Sequence, residues 1–154
     1  MSAYGSAVAP ERLVTTGLGP CIGVAVICAY RGFVMHSPDI FVEYDTVTDP
    51  FFELLDTHIP RRSRPGVVPV IACGCLDVYT GTPQDEEIHE CTRKCRGEIV
   101  RRLLAAGFAN PNVRWAAPNE SASLLLITER QIIIRETLNI RSPESRPTTE
   151  SFQC

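Results

Sequence analysis

Three residues in the stretch "TTGLGPCIGVAVICAYRGFVMHSP" are of the types that carry out acyl chemistry: Thr15, Cys21 and His36. A thiol attacks a carbonyl carbon only as its thiolate, and an ordinary cysteine, with a pKa of about 8.5, is mostly protonated near neutral pH. A histidine beside it can take the proton and later return it to a leaving group. A nucleophile also needs exposure, and Cys21 is the cysteine best placed for it. It follows the turn sequence Gly17-Leu18-Gly19-Pro20 and begins an apolar run rather than sitting inside one. Such a turn can aim backbone N–H groups at a developing oxyanion. Spacing alone leaves open a packed cysteine and a packed histidine in one hairpin, because Cys is among the most buried residue types. A hairpin turning at Arg31–Gly32 sets His36 opposite Val26 or Ile27, so a wide turn or bulge is needed to bring it to Cys21.

The remaining chemistry-bearing residues have more ordinary readings. Cys73-Gly-Cys75 and Cys91-x3-Cys95, with His89 close by, invite a zinc site. Structural zinc favours two pairs of cysteines, each separated by two to four residues, and the first pair here has a single residue between. The second pair falls on the apolar stripe of a helical pattern, where Cys packs as a small hydrophobe. All four are therefore expected to be reduced and metal-free. His58 and His89 are expected in surface or packing roles. Asp85, Glu86 and Glu87 open a helical pattern and compensate its positive end. Trp115 reads as a core or rim aromatic.

The elements that must position Thr15, Cys21 and His36 follow from periodicity and punctuation. Arg12–Thr16 is β-branched and reads as a strand stopping at Gly17; "CIGVAVICAY" reads as an interior strand, apolar on both faces. Arg31–Gly32 supplies a turn, and "FVMHS" returns as a third strand. Thr48, Asp49 and Pro50 open a short helix, "FFELLDTHI", that Pro60 ends, and "RRSRPG" is a loop. "VVPVIACGCLDVY" is a further interior strand with a kink at Pro69 or Gly74. Thr82 and Pro83 then begin a long helix whose apolar face runs Ile88, Cys91, Cys95, Ile99 and Leu103, with Gly107 as its stop. "NVRWAA", "ASLLLITE" and "QIIIRETL" close the pattern, the last two as a hairpin across Glu129–Arg130. The reading is a loose segment over 1–10, one α+β domain over 11–140 and a Pro/Ser/Thr-rich tail over 141–154.

Composition narrows the function classes. The chain has 154 residues, 44% of them hydrophobic, enough for one core without disulfides or metal. The formal charge is −3 with both signs interspersed, and no basic stripe with interleaved aromatics supports nucleic-acid binding. The first residues, "MSAYGSAVAPE", lack the basic and apolar regions of a signal peptide. The longest apolar run, about ten residues, falls short of the roughly 20 that a membrane-spanning helix needs. Seven cysteines in no spaced framework fit free thiols in a reducing compartment. The expectation is a cytoplasmic protein, or one delivered into a host cytosol, with no membrane insertion.

One resemblance ties the first motif to a chemistry. "T-T-G-L-G-P-C" with the later "H-S-P" resembles the signature of the CheD-like protein glutamine deamidases. In that family Thr-x-Gly-Leu-Gly-Ser-Cys carries the nucleophile and a histidine one hairpin later completes the site. The resemblance implies Cys21 as nucleophile, His36 as general base and acid, and Thr15 as the group that orients the imidazole, through its hydroxyl or its carbonyl. The cytotoxic necrotising factor toxins, which deamidate glutamine in small GTPases, share this Cys–His architecture. "EYDTVTDPFFELL" resembles the family's helix after the histidine, and "CTRKCRGEIVRRLLAAGF" its later amphipathic helix, so the likeness spans most of residues 12–138.

Two positions depart from the family pattern. Position 20 is Pro where the family usually has Ser, which removes a backbone N–H and a hydroxyl beside the nucleophile. "PNESAS" stands where a Gly-Gly…Gly-Arg segment is usual. The implied fold is α+β, with two mixed β-sheets packed face to face and helices outside. The implied activity is hydrolysis of glutamine side chains on a partner protein, a signalling protein among the candidates, through a thioester and without cofactor. Two other readings stay open: a non-catalytic protein-binding module of the same fold, and transglutamination, in which an amine replaces water.

Overall fold

An apolar run with no polar face must be covered on both sides, and the run after Cys21 is. In the computed structural model, which describes residues 3–37, 47–73, 83–142 and 144–154, it forms strand β3 (Ile22–Cys28), with six of its seven residues buried. Before it come β1 (Ala3–Val8) and β2 (Arg12–Leu18), and after it β4 (Arg31–Ser37). Helix α1 (Thr48–His58), β5 (Val70–Cys73), helix α2 (Pro83–Ala105) and β6 (Asn112–Trp115) follow. The chain closes with β7 (Glu120–Ile127), β8 (Ile132–Asn139) and β9 (Thr148–Gln153).

The strands form two sheets, in the orders β1-β4-β3-β5-β6 and β2-β7-β8-β9. The first is mixed, with β5 and β6 parallel. The second is antiparallel throughout, which corrects the expectation of two mixed sheets. The reason lies in the connections: α2 carries the chain across between β5 and β6, whereas a single 3-10 turn, Thr128–Arg130, joins β7 to β8. Both helices pack on one face of the first sheet, so the layers run helices, sheet, sheet. Phe51, Phe52 and Leu55 of α1 and Cys95, Ile99 and Leu103 of α2 meet Val24, Val26, Phe33 and Met35. The opposite face, with Ala25, Ile27 and Val34, packs against Leu124, Leu126 and Ile133 of the second sheet.

Local chemistry sets the ends of these elements. Gly107, at φ +92°, ends α2; its N–H bonds Leu104 O while Phe108 N–H reaches Leu103 O, a Schellman pair that lets Phe108 pack into the helix-side core. Thr48 is the first residue of α1 rather than its cap, and its hydroxyl lies 3.4 Å from that of Ser37 at the end of β4. The "RRSRPG" loop is a 3-10 segment, Arg61–Gly66. Its Arg64 is almost fully buried, donating to Ile59 O and Ala106 O and pairing with Asp56 at 2.6 Å.

Both termini differ from the sequence reading. Residues 3–8, read as loose, form β1, an edge strand held by backbone pairing to β4 from Ala3↔His36 to Val8↔Arg31. Residues 148–153, read as tail, form β9 against β8. A buried arginine explains that strand. Arg135 of β8 makes a two-bond ion pair with Glu150 of β9, at 2.9 and 3.0 Å, and also bonds Ile71 O and Asn112 of the other sheet. Its guanidinium lies 4.9 Å from the Phe152 ring centroid, so Phe152 and Glu150 face inward on an otherwise polar strand.

Candidate active site

The hairpin that carries His36 turns two residues earlier than its glycine suggests. Ala29 and Tyr30, at φ 50° and 64°, form a two-residue turn of the left-handed kind that matches strand twist. Pairing then runs from Cys28↔Arg31 to Ile22↔Ser37 and sets His36 opposite Gly23. That corrects the sequence reading, in which a turn at Arg31–Gly32 left His36 opposite Val26 or Ile27. Gly32 instead lets the two sheets approach, since an added Cβ there falls 2.9 Å from Thr128 Cγ2 and 3.1 Å from Leu126 Cδ2. No wide turn is needed, because His36 already lies diagonally across from Cys21. Cys21 and His36 also project to the same side, toward the second sheet.

Thr15 arrives from that second sheet. Along β2 the register passes from Thr15↔Leu124 to Leu18↔Ala122, three residues facing two, so β2 carries one extra residue. Gly17, at φ +69°, sits within this bulge in a conformation glycine adopts without strain. Thr15 and Leu18, three apart, would face opposite ways on a regular strand. The bulge turns both inward: Leu18 is fully buried in the inter-sheet core and Thr15 is 8% exposed. Thr15 Oγ1 lies 2.9 Å from His36 Nδ1, a hydrogen bond between the two sheets. Of the two routes that the resemblance left open, this contact is made by the side-chain hydroxyl.

The loop between β2 and Cys21 is anchored from below. The Cys73 thiol, at the end of β5, donates to Leu18 O. Cys73 has φ +73°, which takes its side chain out of strand alternation: Ile71 belongs to the helix-side core, but Cys73 belongs to the inter-sheet core. Gly23 makes room for the same loop, because an added Cβ there falls 2.5 Å from Leu18 Cδ1.

Thr15, Cys21 and His36 line one cleft of about 600 Å³, with Ala3, Tyr4 and Gly5 of β1, neighbouring β2 residues and Val34 completing its walls. A volume of this size falls within the range that small-molecule sites span. His36 is partly buried, and burial pushes its pKa below the usual imidazole value because the charged form loses hydration. The neutral imidazole, the form that accepts a proton, is thereby favoured. The β1 residues of this wall went unseen in the sequence because nothing in "AYGSAV" signals chemistry.

The other candidates do not join the site. His58 is exposed on α1, its ring 6.0 Å from that of Phe33, and His89 is buried on α2. Trp115 lies partly buried under the Arg96 guanidinium, 5.0 Å from its ring centroid. Cys91 and Cys95 lie on α2, and no group of three His, Cys, Asp or Glu among the described residues is placed to hold a metal ion. Gly74, Cys75, Thr82 and the side chains of Asp85 and Ile88 lie outside the described residues. None of the six described cysteines forms a disulfide, and no described helix is long and apolar enough to cross a membrane.

No protein-family model matches the chain, and no curated protein matches it at a significant level.

Proposed function

We propose that the chain is a cysteine hydrolase that converts glutamine side chains of a partner protein to glutamate, with a CheD-like fold and site. The observation that carries the reading is the Thr15–His36 hydrogen bond inside the cleft that Cys21 also lines. The three residues that the signature motif assigns come from three separate segments of chain, and they meet in one ligand-sized opening. The layering, with an antiparallel sheet against a mixed one, is compatible with the α+β class that the resemblance implies.

The chemistry follows from the donor arrangement. With its proton on Nδ1, His36 donates to Thr15 Oγ1, which leaves the Nε2 lone pair as the base. Nε2 takes the Cys21 proton as the sulfur attacks the carboxamide carbon of glutamine. The C=O electron pair moves to oxygen, and main-chain N–H groups of the loop at Cys21 stabilise that oxyanion. Pro20 contributes none, having no N–H. The imidazolium then protonates the departing nitrogen, ammonia leaves, and a thioester remains on Cys21. His36 next deprotonates water for attack on the thioester carbon; the thiolate departs, regains its proton, and glutamate is released.

Mass spectrometry of a proteome incubated with wild-type protein or with Cys21→Ser tests the reading. Gln-to-Glu conversion at a small set of exposed glutamines, present with wild type and absent with Cys21→Ser, is the expected outcome. Amine incorporation at those sites would assign transglutamination instead, and identical proteomes would reject catalysis.

A further inference from the structure

The cleft residues fall into two patterns. From β4 come Val34 and His36, alternate residues, so this strand presents a face and forms the floor. From β2 come five consecutive residues, Leu13 to Gly17, and from β1 three consecutive residues, Ala3 to Gly5. Ala3 and Gly5 of β1 pair with His36 and Val34 and so share the floor's face, whereas β2 comes from the other sheet. Among the described residues, β1 and β2 are the outermost strands of their sheets. The cleft therefore lies between a floor of β4 and β1, which carries the imidazole, and a wall formed by β2, the outermost described strand of the other sheet.

We propose that the edge of β2 along this cleft receives an extended, glutamine-bearing segment of the substrate protein as an added strand; this rests on the deamidase reading and specifies how its substrate is held. An outermost strand has backbone N–H and C=O groups on one side with no neighbouring strand, a ready template for pairing with another chain. At about 3.3 Å per residue, the five residues of β2 present an edge about 16 Å long, enough for a five-residue segment. Space for it is built in: Ala3 and Gly5 are small, and nothing lies within 4 Å of where a Gly5 Cβ would stand. The bulge between Thr15 and Leu18 interrupts the regular course of β2 just before the loop to Cys21, so a strand added along Leu13 to Gly17 ends beside the nucleophile. Main-chain pairing supplies the affinity, and alternation turns every second side chain of the segment, the glutamine among them, toward His36 and Cys21.

The probe is the blocked peptide acetyl-Thr-Val-Gln-Val-Thr-amide, with two isomers in which N-methyl groups remove the donors of one strand edge or of the other. Binding to the Cys21→Ser protein is read by hydrogen exchange at Leu13 to Gly17. The parent peptide is expected to slow exchange along β2. One methylated isomer should lose at least tenfold in affinity while the other stays within about threefold, because a single peptide edge faces β2. Equal loss by both isomers, equal retention by both, or no protection of β2 by the parent at millimolar concentration would overturn the proposal. So would protection that grows with protein concentration alone, which would give the edge to a second copy of the chain. Protection of β2 without Gln-to-Glu conversion by the wild type leaves the edge pairing standing and removes the deamidase reading. Conversion in intact proteins with no peptide effect on β2 does the reverse.

Discussion

The two faces of the central hairpin, β3 and β4, are built to different rules. Toward the helices, Val24, Val26, Phe33 and Met35 keep strict strand alternation, and each is essentially inaccessible to solvent. Toward the second sheet the same strands present Gly23, Ala25, Gly32 and His36 beside Ile27 and Val34, and departures from regular backbone gather there: the bulge at Gly17 and left-handed Cys73. One face is packed for stability. On the other, side chains shrink and backbones bend so that a threonine, a cysteine and a histidine from three segments share one opening. Strain and unusual geometry concentrate where groups must be aimed rather than merely buried.

Substitutions on the two faces should therefore separate stability from reactivity. The largest effect is expected from Phe51→Ala on the helix side. Removing a fully buried ring there costs about 3–5 kcal/mol in denaturant unfolding, while the alkylation rate of Cys21 in the remaining folded protein changes less than twofold. Gly23→Ala on the other face should show the opposite balance. Its Cβ displaces Leu18, and with it the loop that leads to Cys21, for a stability loss of about 1–3 kcal/mol and a clear change in Cys21 reactivity. Reactivity unchanged in Gly23→Ala would mean that the loop is not positioned from below.

What was legible in the sequence follows the same division. The helix-side core was readable because its pattern is undistorted: continuous apolar strands, an apolar stripe on α2, and Gly107 at its end. Thr15, Cys21 and His36 were found through a motif, and the structure brings all three to one cleft. Their geometry was not readable. The β3–β4 turn uses Ala29 and Tyr30 at positive φ, whereas Gly32, which looks like the turn residue, is needed for close sheet packing. The edges β1 and β9 escaped because backbone pairing holds them, and because the buried Arg135–Glu150 pair makes a polar segment into a strand. Arg64 and Arg135 show why charge is a poor guide to exposure when a guanidinium can satisfy its donors on carbonyls and a carboxylate.

A smaller effect is expected at the joint between the two sheets. Thr15→Val keeps the shape but removes the hydroxyl bonded to His36 Nδ1, and under the proposed mechanism should lower Cys21-dependent turnover about tenfold, the equivalent of a hydrogen bond worth roughly 1–1.5 kcal/mol. Thr15→Ser, which keeps the hydroxyl, should stay near wild type, and the melting temperature should move little in either variant. Equal activity in Val and Ser would show that β2 supplies only packing.

The unit formed by these residues is tested most directly by the iodoacetamide alkylation rate of Cys21 against pH, in wild type and in His36→Ala, both in a Cys154→Ser background that removes the exposed terminal thiol. Burial lowers the His36 pKa, so the imidazole sheds its proton, and becomes competent as a base, at a pH below the ordinary value of about 6.5. The wild-type rate should accordingly rise along a limb centred below that value and be well developed at neutral pH. His36→Ala should lose this limb and follow an ordinary thiol, rising near pH 8.5. Superimposable profiles in the two proteins would refute the pairing, because Cys21 would then be a thiol beside a histidine that does nothing for it.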